Sequence, residues 1–222
     1  MKVSALIPYK PDFGRRDYLW SVVHNRYLRF LPQVEICIGT DLGEPFCRAK
    51  AINEAAKKAS GDVFLLVDTD VVFNPDLIGK IISVIGIYPW IVPYRNGYRL
   101  TEGATNTLLS QELPLSIQLG ALDYEYIEPG PGPLMNAMTR SCFEKIGGLD
   151  ERFKGYGYED VAMAISLKTL SGPHFNLEED IFHLWHPTAE LIPRKNVELW
   201  QRYVAAADNA EAIKNLHNER NG

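Results

Sequence analysis

The stretch that decides the fold is VFLLVDTD at residues 63–70, an apolar run that ends abruptly in two aspartates. Because Val63 to Val67 is apolar at every position, it predicts a central parallel strand covered by helices on both faces. Open parallel sheets bind ligands beyond the carboxyl ends of their strands, which is where Asp68 and Asp70 follow. Their mutual repulsion is relieved by a divalent cation, and Mg²⁺ or Mn²⁺ suits such hard oxygen ligands. In isolation, however, an Asp-X-Asp pair is equally consistent with the start of an ordinary turn.

Strand and helix patterns extend upstream of this stretch. Val3 to Ile7 and Val34 to Ile38 predict two more buried strands, and the apolar period of Arg15 to Phe30 predicts a helix between them. Phe46 to Ser60 is rich in Ala and Lys and predicts a second helix, which Gly61 ends. This alternation indicates an α/β fold with a mostly parallel central sheet flanked by helices.

The patterns downstream are more mixed. Asn74-Pro75-Asp76 predicts the N-cap and first turn of a helix that continues to Ile87. Prolines divide residues 88–133 into predicted short strands and long loops. Further helices are predicted after a capping box formed by Ser141 and Glu144, over Tyr158 to Ser171, and from Val197 onward.

The composition is typical of soluble globular proteins. Apolar residues make up 46% and charged residues 23% of the sequence, which is enough to bury a core without disulfides. The net charge of −5 disfavours a broad phosphate-binding surface, so nucleic acid is a disfavoured partner. Three widely spaced cysteines indicate reduced core thiols, and no stretch approaches the ~20 apolar residues of a membrane span. We therefore expect one cytoplasmic domain spanning residues 1–222.

Two blocks of sequence carry a resemblance to known families. The first contains RAKAIN at 48–53 and DTD at 68–70, in an order and spacing similar to those of GT-A glycosyltransferases. The second contains GPLMNAM at 132–138 and KIGGLDERFKGYGYED at 145–160, and it resembles the β1,4-galactosyltransferase and polypeptide N-acetylgalactosaminyltransferase families. LIPYK at 6–10 extends the resemblance to the first predicted strand.

The resemblance implies a Rossmann-like GT-A domain with a nucleotide-binding half at 1–87, an acceptor and metal half at 88–192 and a C-terminal helix at 193–222. It implies that the enzyme transfers a hexose or N-acetylhexosamine from a UDP-sugar to a hydroxyl acceptor. A Mn²⁺ or Mg²⁺ ion would neutralise the departing diphosphate. Inversion at the anomeric carbon is expected if a carboxylate acts as the general base.

Site residues are carried over from the same families, position by position. The donor would be bound by five residues: Pro8, Tyr9, Asp41, Arg48 and Asp68. The metal would be bound by Asp70 and Asp68 together with His183 or His186 of FHLWHP at 182–187. Asp160 would be the general base, and Glu159, Tyr156 and Tyr158 would bind the acceptor. Tyrosines at 156 and 158 depart from the tryptophan and glycine that are usual there, so the acceptor stays open.

The residues themselves leave some of these roles undecided. Arg48 can offer a planar fork to a phosphate or can be a solvated surface arginine. Glu159 and Asp160 open a predicted helix, where the helix dipole favours their ionised forms, or they reflect only the preference for acids at helix starts. The glycine- and proline-rich segments 129–133 and 154–157 are hypothesised to form a lid over the donor.

Two other functions compete with this interpretation. A sugar nucleotidyltransferase shares the α/β sheet and metal-binding carboxylates, but it usually has a glycine-rich basic loop that Pro8-Tyr9-Lys10 does not supply. A non-catalytic carbohydrate-binding protein can keep the same fold. Retention of four acids, Asp68, Asp70, Glu159 and Asp160, argues against the loss of catalysis.

Overall fold

Two sheets and the helices around them make up the computed structural model, which describes residues 1–128, 130–132, 134–187 and 192–221. The strands are β1 (Val3–Pro8), β2 (Glu35–Gly39), β3 (Val63–Val67), β4 (Val71–Phe73), β5 (Trp90–Val92), β6 (Asn96–Leu100), β7 (Tyr124–Ile127), β8 (Met135–Thr139), β9 (Phe175–Asn176) and β10 (Asp180–His183). The helices are α1 (Arg15–Phe30), α2 (Arg48–Lys58), α3 (Leu77–Val84), α4 (Glu102–Leu109), α5 (Arg140–Lys145), α6 (Glu159–Ser171), α7 (Arg194–Ala205) and α8 (Ala210–Asn218), followed by a 3₁₀ turn at Glu219–Asn221.

The larger sheet has the strand order β2-β1-β3-β8-β5-β9. Its strands β2, β1 and β3 are parallel to one another, and β9 is parallel to β5. Strand β8 is antiparallel to both of its neighbours, β3 and β5, so it alone runs against the other five. The predicted α/β class is confirmed, and the sheet is mostly parallel with one reversed strand.

The run Val63 to Val67 is buried along its whole length, as its composition predicts. Val63, Leu65 and Val67 face the core on the side of α1 and α3. Phe64 and Leu66 face the opposite core, where α2, α5 and α6 pack. The period of two along a strand therefore divides an unbroken apolar run between two helical layers.

The smaller sheet, of order β4-β10-β6-β7, is not predicted by the sequence. Its strands have only three to five residues, too few for a clear periodicity. Strand β10 is antiparallel to β4, with His183 opposite Val71, and parallel to β6. Because β4 begins directly after the Asp68–Asp70 turn, this pairing brings the end of β10 to that turn.

Several helix boundaries differ from the predicted ones. Helix α1 has the predicted bounds, whereas α2 is shorter than 46–60, with extended residues at both ends. Helix α3 begins at Leu77 because the Asn74 side chain accepts a hydrogen bond from the Asp76 amide and closes a separate turn. Helix α5 is capped by Thr139, whose hydroxyl accepts from the Cys142 amide, so the predicted Ser141–Glu144 capping box is wrong.

Two more corrections concern helices. Residues 102–109 form α4, although loops and strands were predicted there. The predicted single C-terminal helix is two helices, because Asp208 adopts a left-handed φ of 61° and Asn209 caps α8. A third apolar core joins α7 and α8 to α6 and includes Phe153, Leu199 and Tyr203.

Two predictions about composition can also be compared with the structure. Cys37, Cys47 and Cys142 are free and buried, as predicted for core thiols. Among the residues described, none of the helices combines the length and apolar character needed to cross a bilayer.

Candidate active site

Three side chains from distant parts of the chain meet beyond the carboxyl end of β3. Asp70 ends the turn after that strand, His183 ends β10, and His186 follows three residues later. Their candidate ligand atoms all lie within 4.8 Å of one another. The Leu184 amide donates to the Asp70 carbonyl at 2.8 Å, which fixes the two segments against each other. This group has the composition and spacing of a metal-binding site.

The hydrogen bonds around the group suit a bound cation. Asp70 Oδ2 lies 3.1 Å from His186 Nε2, and Asp70 Oδ1 lies 3.4 Å from His183 Nε2. Nδ1 of His186 lies 2.7 Å from the Pro187 carbonyl, so it carries the proton and leaves Nε2 to face Asp70. Asp70 Oδ1 and His183 Nδ1 are buried without a hydrogen-bond partner among the described residues. Since an unpartnered buried oxygen is costly, a ligand at Asp70 would stabilise the group.

The pKa shifts reflect burial and mutual charge. Burial alone would raise the pKa of Asp70, but the charges of His183 and His186 lower it. Burial lowers the pKa of His183. Burial also acts to lower the pKa of His186, but the protonated ring can donate a hydrogen bond from Nε2 to Asp70, and this bond and the charge of that carboxylate raise the pKa. Asp70 is therefore ionised at neutral pH, the form that a cation requires.

Arg48 links this region to the second acidic motif. Its Nε and Nη2 donate to Asp68 Oδ1 at 2.9 and 2.7 Å, and its Nη1 donates to Glu159 Oε1 at 3.4 Å. The guanidinium fork expected to face a phosphate thus contacts two carboxylates. Asp68, which the sequence suggested as a metal ligand, lies outside the group of Asp70, His183 and His186.

Glu159 and Asp160 start α6 beside Arg48. Burial raises the pKa of Glu159, and the nearby charge of Asp160 raises it further. Burial likewise raises the pKa of Asp160, although Arg48 and the Val161 amide act to lower it. The helix dipole favours the ionised forms as expected, but loss of hydration outweighs it, so the net shift of both pKa values is upward. A carboxylate with a raised pKa is a better proton acceptor at neutral pH.

Glycine-rich backbone lies against these acids on one side. Gly132 has a φ of 131°, and a Cβ added there would lie 3.4 Å from Asp160 Cγ. Asn136 Nδ2 donates to the Gly132 carbonyl at 2.9 Å and holds this approach. Of the hypothesised lid segment 129–133, Pro129 and Pro133 lie outside the described residues.

The predicted nucleotide residues lie at the ends of β1 and β2. Pro8 is the last residue of β1, and the hydroxyl of Tyr9 donates to Asp17 Oδ1 at 2.9 Å. Asp41 follows β2 and accepts from the Cys47 amide and from Lys50 Nζ. The Lys50 hydrogen bond is the largest cause of the lowered pKa of Asp41. All three residues therefore lie along the strand ends, as the switch-point rule predicts.

The two tyrosines predicted to bind the acceptor differ in their surroundings. Tyr156 is exposed over 56% of its surface. The ring of Tyr158 stacks on Trp200 with 4.6 Å between centroids and a 10° interplanar angle. One face of Tyr158 is therefore occupied within the protein.

Two residues beside the site were not among the predicted ones. Arg16 Nη2 lies 3.3 Å from His186 Nδ1, and its charge contributes to the lowered pKa of Asp70. Nothing in the local sequence distinguishes it from other first-turn arginines. Tyr94 is fully buried, and its raised pKa arises from burial and the charges of Asp160 and Asp68.

Two family models match the chain. Residues 42–147 match the model described as glycosyl transferase family 2, and residues 115–186 match the model described as the N-terminal domain of galactosyltransferase. The two ranges contain Asp70, Arg48, Glu159, Asp160 and both histidines of the site. No curated protein sequence matches the chain.

The fold is similar to those of solved glycosyltransferases. A structure of GalNAc-T7 with UDP, GalNAc and Mn²⁺ superposes with a TM-score of 0.56 at 14% identity, covering 99% of this chain and 54% of that chain. The chain thus spans about half the length of that protein. The catalytic domain of Drosophila β1,4-galactosyltransferase 7 with xylobiose gives a TM-score of 0.49 at 15% identity, covering 90% and 79%. The two family matches and the fold together support a glycosyltransferase of the GT-A fold.

Proposed function

We propose that the protein transfers a hexose or N-acetylhexosamine from a UDP-sugar to a hydroxyl acceptor, with inversion, in a reaction that needs a divalent cation. The observation that carries this proposal is the meeting of Asp70, His183 and His186 at the strand ends, with Arg48 joining Asp68 to Glu159 nearby. UDP and Mn²⁺ are named with the structural relative GalNAc-T7.

The proposed metal site is the group of Asp70, His183 and His186. Two imidazoles and one carboxylate favour a transition-metal ion such as Mn²⁺ over Mg²⁺, which prefers oxygen ligands throughout. When bound, the ion would neutralise the negative charge that develops on the departing diphosphate. Arg16, beside His186, adds a fixed positive charge on the same side.

Asp160 is the proposed general base. The acceptor oxygen attacks the anomeric carbon while the bond from that carbon to the UDP oxygen breaks, and UDP leaves with the electron pair. The hydroxyl proton passes to Asp160, whose raised pKa suits proton transfer near neutral pH. Glu159, fixed by Arg48, is proposed to accept a hydrogen bond from the acceptor with Oε2, which has no partner among the described residues.

Donor recognition is assigned to the first half of the chain. We assign Pro8, Tyr9 and Asp41 to the nucleotide, because they line the ends of β1 and β2 beside the metal group's strand. Asp68 is assigned to the ribose or sugar rather than to the metal, because Arg48 already neutralises it. The proposed metal site takes ligands from both predicted halves of the domain, since Asp70 belongs to 1–87 and both histidines belong to 88–192.

A donor screen tests this function. UDP-galactose, UDP-glucose, UDP-GalNAc, UDP-GlcNAc and GDP-mannose are incubated with an acceptor panel, and nucleotide release is measured with Mn²⁺, with Mg²⁺ and with excess EDTA. We expect release from a UDP-sugar, strongest with Mn²⁺ and abolished by EDTA. Undiminished turnover in EDTA would overturn the metal assignment, and preferred use of GDP-mannose would overturn the UDP assignment.

A further inference from the structure

The backbone that leads into the acidic motif is left-handed at three of four successive residues. Gly155, Gly157 and Tyr158 have φ values of 71°, 102° and 75°. Glycine adopts such values freely, but the Cβ of tyrosine makes them costly. Tyr158 is also the residue that immediately precedes Glu159, so its conformation sets where α6 begins. Surrounding structure must hold this residue in place.

Asn196 of α7 fastens the loop before Tyr158. Its side chain is buried, and Oδ1 accepts from the Lys154 amide at 3.2 Å. Nδ2 donates to the carbonyls of Lys154, Tyr156 and Gly157 at 3.0, 3.3 and 3.1 Å. One amide therefore satisfies backbone groups along the whole loop.

Trp200 of the same helix holds Tyr158 itself. The two rings are stacked almost parallel at 4.6 Å, and both lie at the edge of the core formed by α6, α7 and α8. Asn196 and Trp200 are four residues apart, so they lie on the same face of α7. That face is turned toward the loop and the start of α6.

We propose that Asn196 and Trp200 are positioning residues for the transfer reaction. They hold Tyr158 in its left-handed conformation and so fix the carboxylates of Glu159 and Asp160 relative to Arg48. The chemical part of this inference rests on the proposed role of Asp160. The structural part, that α7 determines the conformation of residues 154–160, stands separately.

The first test measures amide hydrogen exchange of the peptide covering 154–162 in the full chain. We expect Trp200→Ala to raise exchange there by about tenfold, because the left-handed conformation of a tyrosine without support is disfavoured by about that factor. Asn196→Ala should act in the same direction, and Trp200→Phe should restore protection because it keeps a stacking ring. Tyr88→Ala is the matched control, since it removes a similar stacked pair with Phe175. Unchanged exchange in Trp200→Ala would overturn the proposal.

The second test is a double-mutant cycle on turnover of the donor found in the screen. Trp200→Ala should lower kcat by about tenfold with Mn²⁺ and UDP affinities within about twofold, because only the acid is displaced. In a Tyr158→Gly background, glycine adopts the left-handed conformation without help, so Trp200→Ala should then cost less than about twofold. An equal loss in both backgrounds would show that Trp200 does not act through Tyr158.

The two tests separate failure of the inference from failure of the proposed function. If no donor is turned over but exchange rises as expected, α7 positions the motif and the proposed function is wrong. If turnover depends on Asp160 while the α7 variants behave like wild type, the proposed function stands and the inference is wrong.

Discussion

The metal group and the acidic motif are held in place by different means. His183 lies on a strand paired by backbone hydrogen bonds to β4 and β6, and the Leu184 amide binds the Asp70 carbonyl. Glu159 and Asp160 instead follow a loop that side chains of α7 fasten. Geometry carried by a backbone ladder tolerates side-chain changes nearby, whereas geometry carried by two side chains does not. We call Asp70, His183 and His186 the metal half of the site and Glu159 and Asp160 its acidic half, and we expect the acidic half to be the more easily displaced.

Arg48 connects the turn that carries Asp70 to the acidic half of the site. It binds Asp68 on the strand-end side and Glu159 on the helix side. Burial would lower its pKa, but the charges of Asp68 and Glu159 raise it, so it remains a cation. Variants of the metal half, of the acidic half and of Arg48 can therefore separate what each part contributes to metal binding and to turnover.

The largest expected effect concerns the acidic half. Asp160→Asn should slow transfer by about 10²–10⁴, the usual range for loss of a general base, while UDP and Mn²⁺ affinities stay near wild type. Steady-state kinetics with calorimetric binding measures both. Asp123→Asn, an exposed aspartate remote in sequence, is the control. A near-wild-type rate would remove Asp160 from the mechanism.

The next largest effect concerns the metal half. Asp70→Asn should weaken Mn²⁺ binding by at least about 100-fold, more than loss of an outer-shell partner, because a charged ligand is lost. Manganese titration followed by electron paramagnetic resonance gives the affinity without requiring turnover. Asp68→Asn should leave Mn²⁺ binding within about threefold in the absence of UDP, since Asp68 is not in the metal group. Equal weakening in both variants would make Asp68 a ligand after all.

A smaller effect is expected at the link between the halves. Arg48 lowers the pKa values of Glu159 and Asp160, so Arg48→Gln should raise them. Because a general base must be deprotonated, the acidic limb of the pH profile of kcat/KM should move upward by about one pH unit. Glu54→Gln, on the same helix, serves as the control. A limb that stays in place would show that neither acid controls the rate.

The smallest effect concerns the helices behind the acidic half. Burial lowers the pKa of His217 to about 4, and the charge of Arg220 acts in the same direction. His217 is thus neutral when folded, and its contribution to stability is present above its unfolded pKa of about 6.5 and lost as pH falls toward 4. The Tm of the wild-type protein should therefore fall by more between pH 7 and pH 4.5 than the Tm of His217→Gln does. Parallel Tm curves for the two proteins would contradict this.

Much of the fold was predictable because its signals are local. The unbroken apolar run at 63–67 and the period of α1 depend on residues a few positions apart, and both elements lie where predicted. The smaller sheet was not predictable, since β4 and β10 are short and their paired residues are separated by about half of the chain. The helix caps at Thr139 and Asn209 were not predicted either, because several nearby residues could serve equally well.

The sequence by itself determined the α/β class, the strand-end position of Asp68 and Asp70, and the helix start at Glu159 and Asp160, because each depends on local pattern. Only the tertiary structure decided that Asp70 joins both histidines while Asp68 pairs with Arg48. It also raised the pKa values of the two acids, against the effect of the helix dipole. The physical reason is that partner choice and loss of hydration depend on residues far apart in the chain, which local periodicity does not encode.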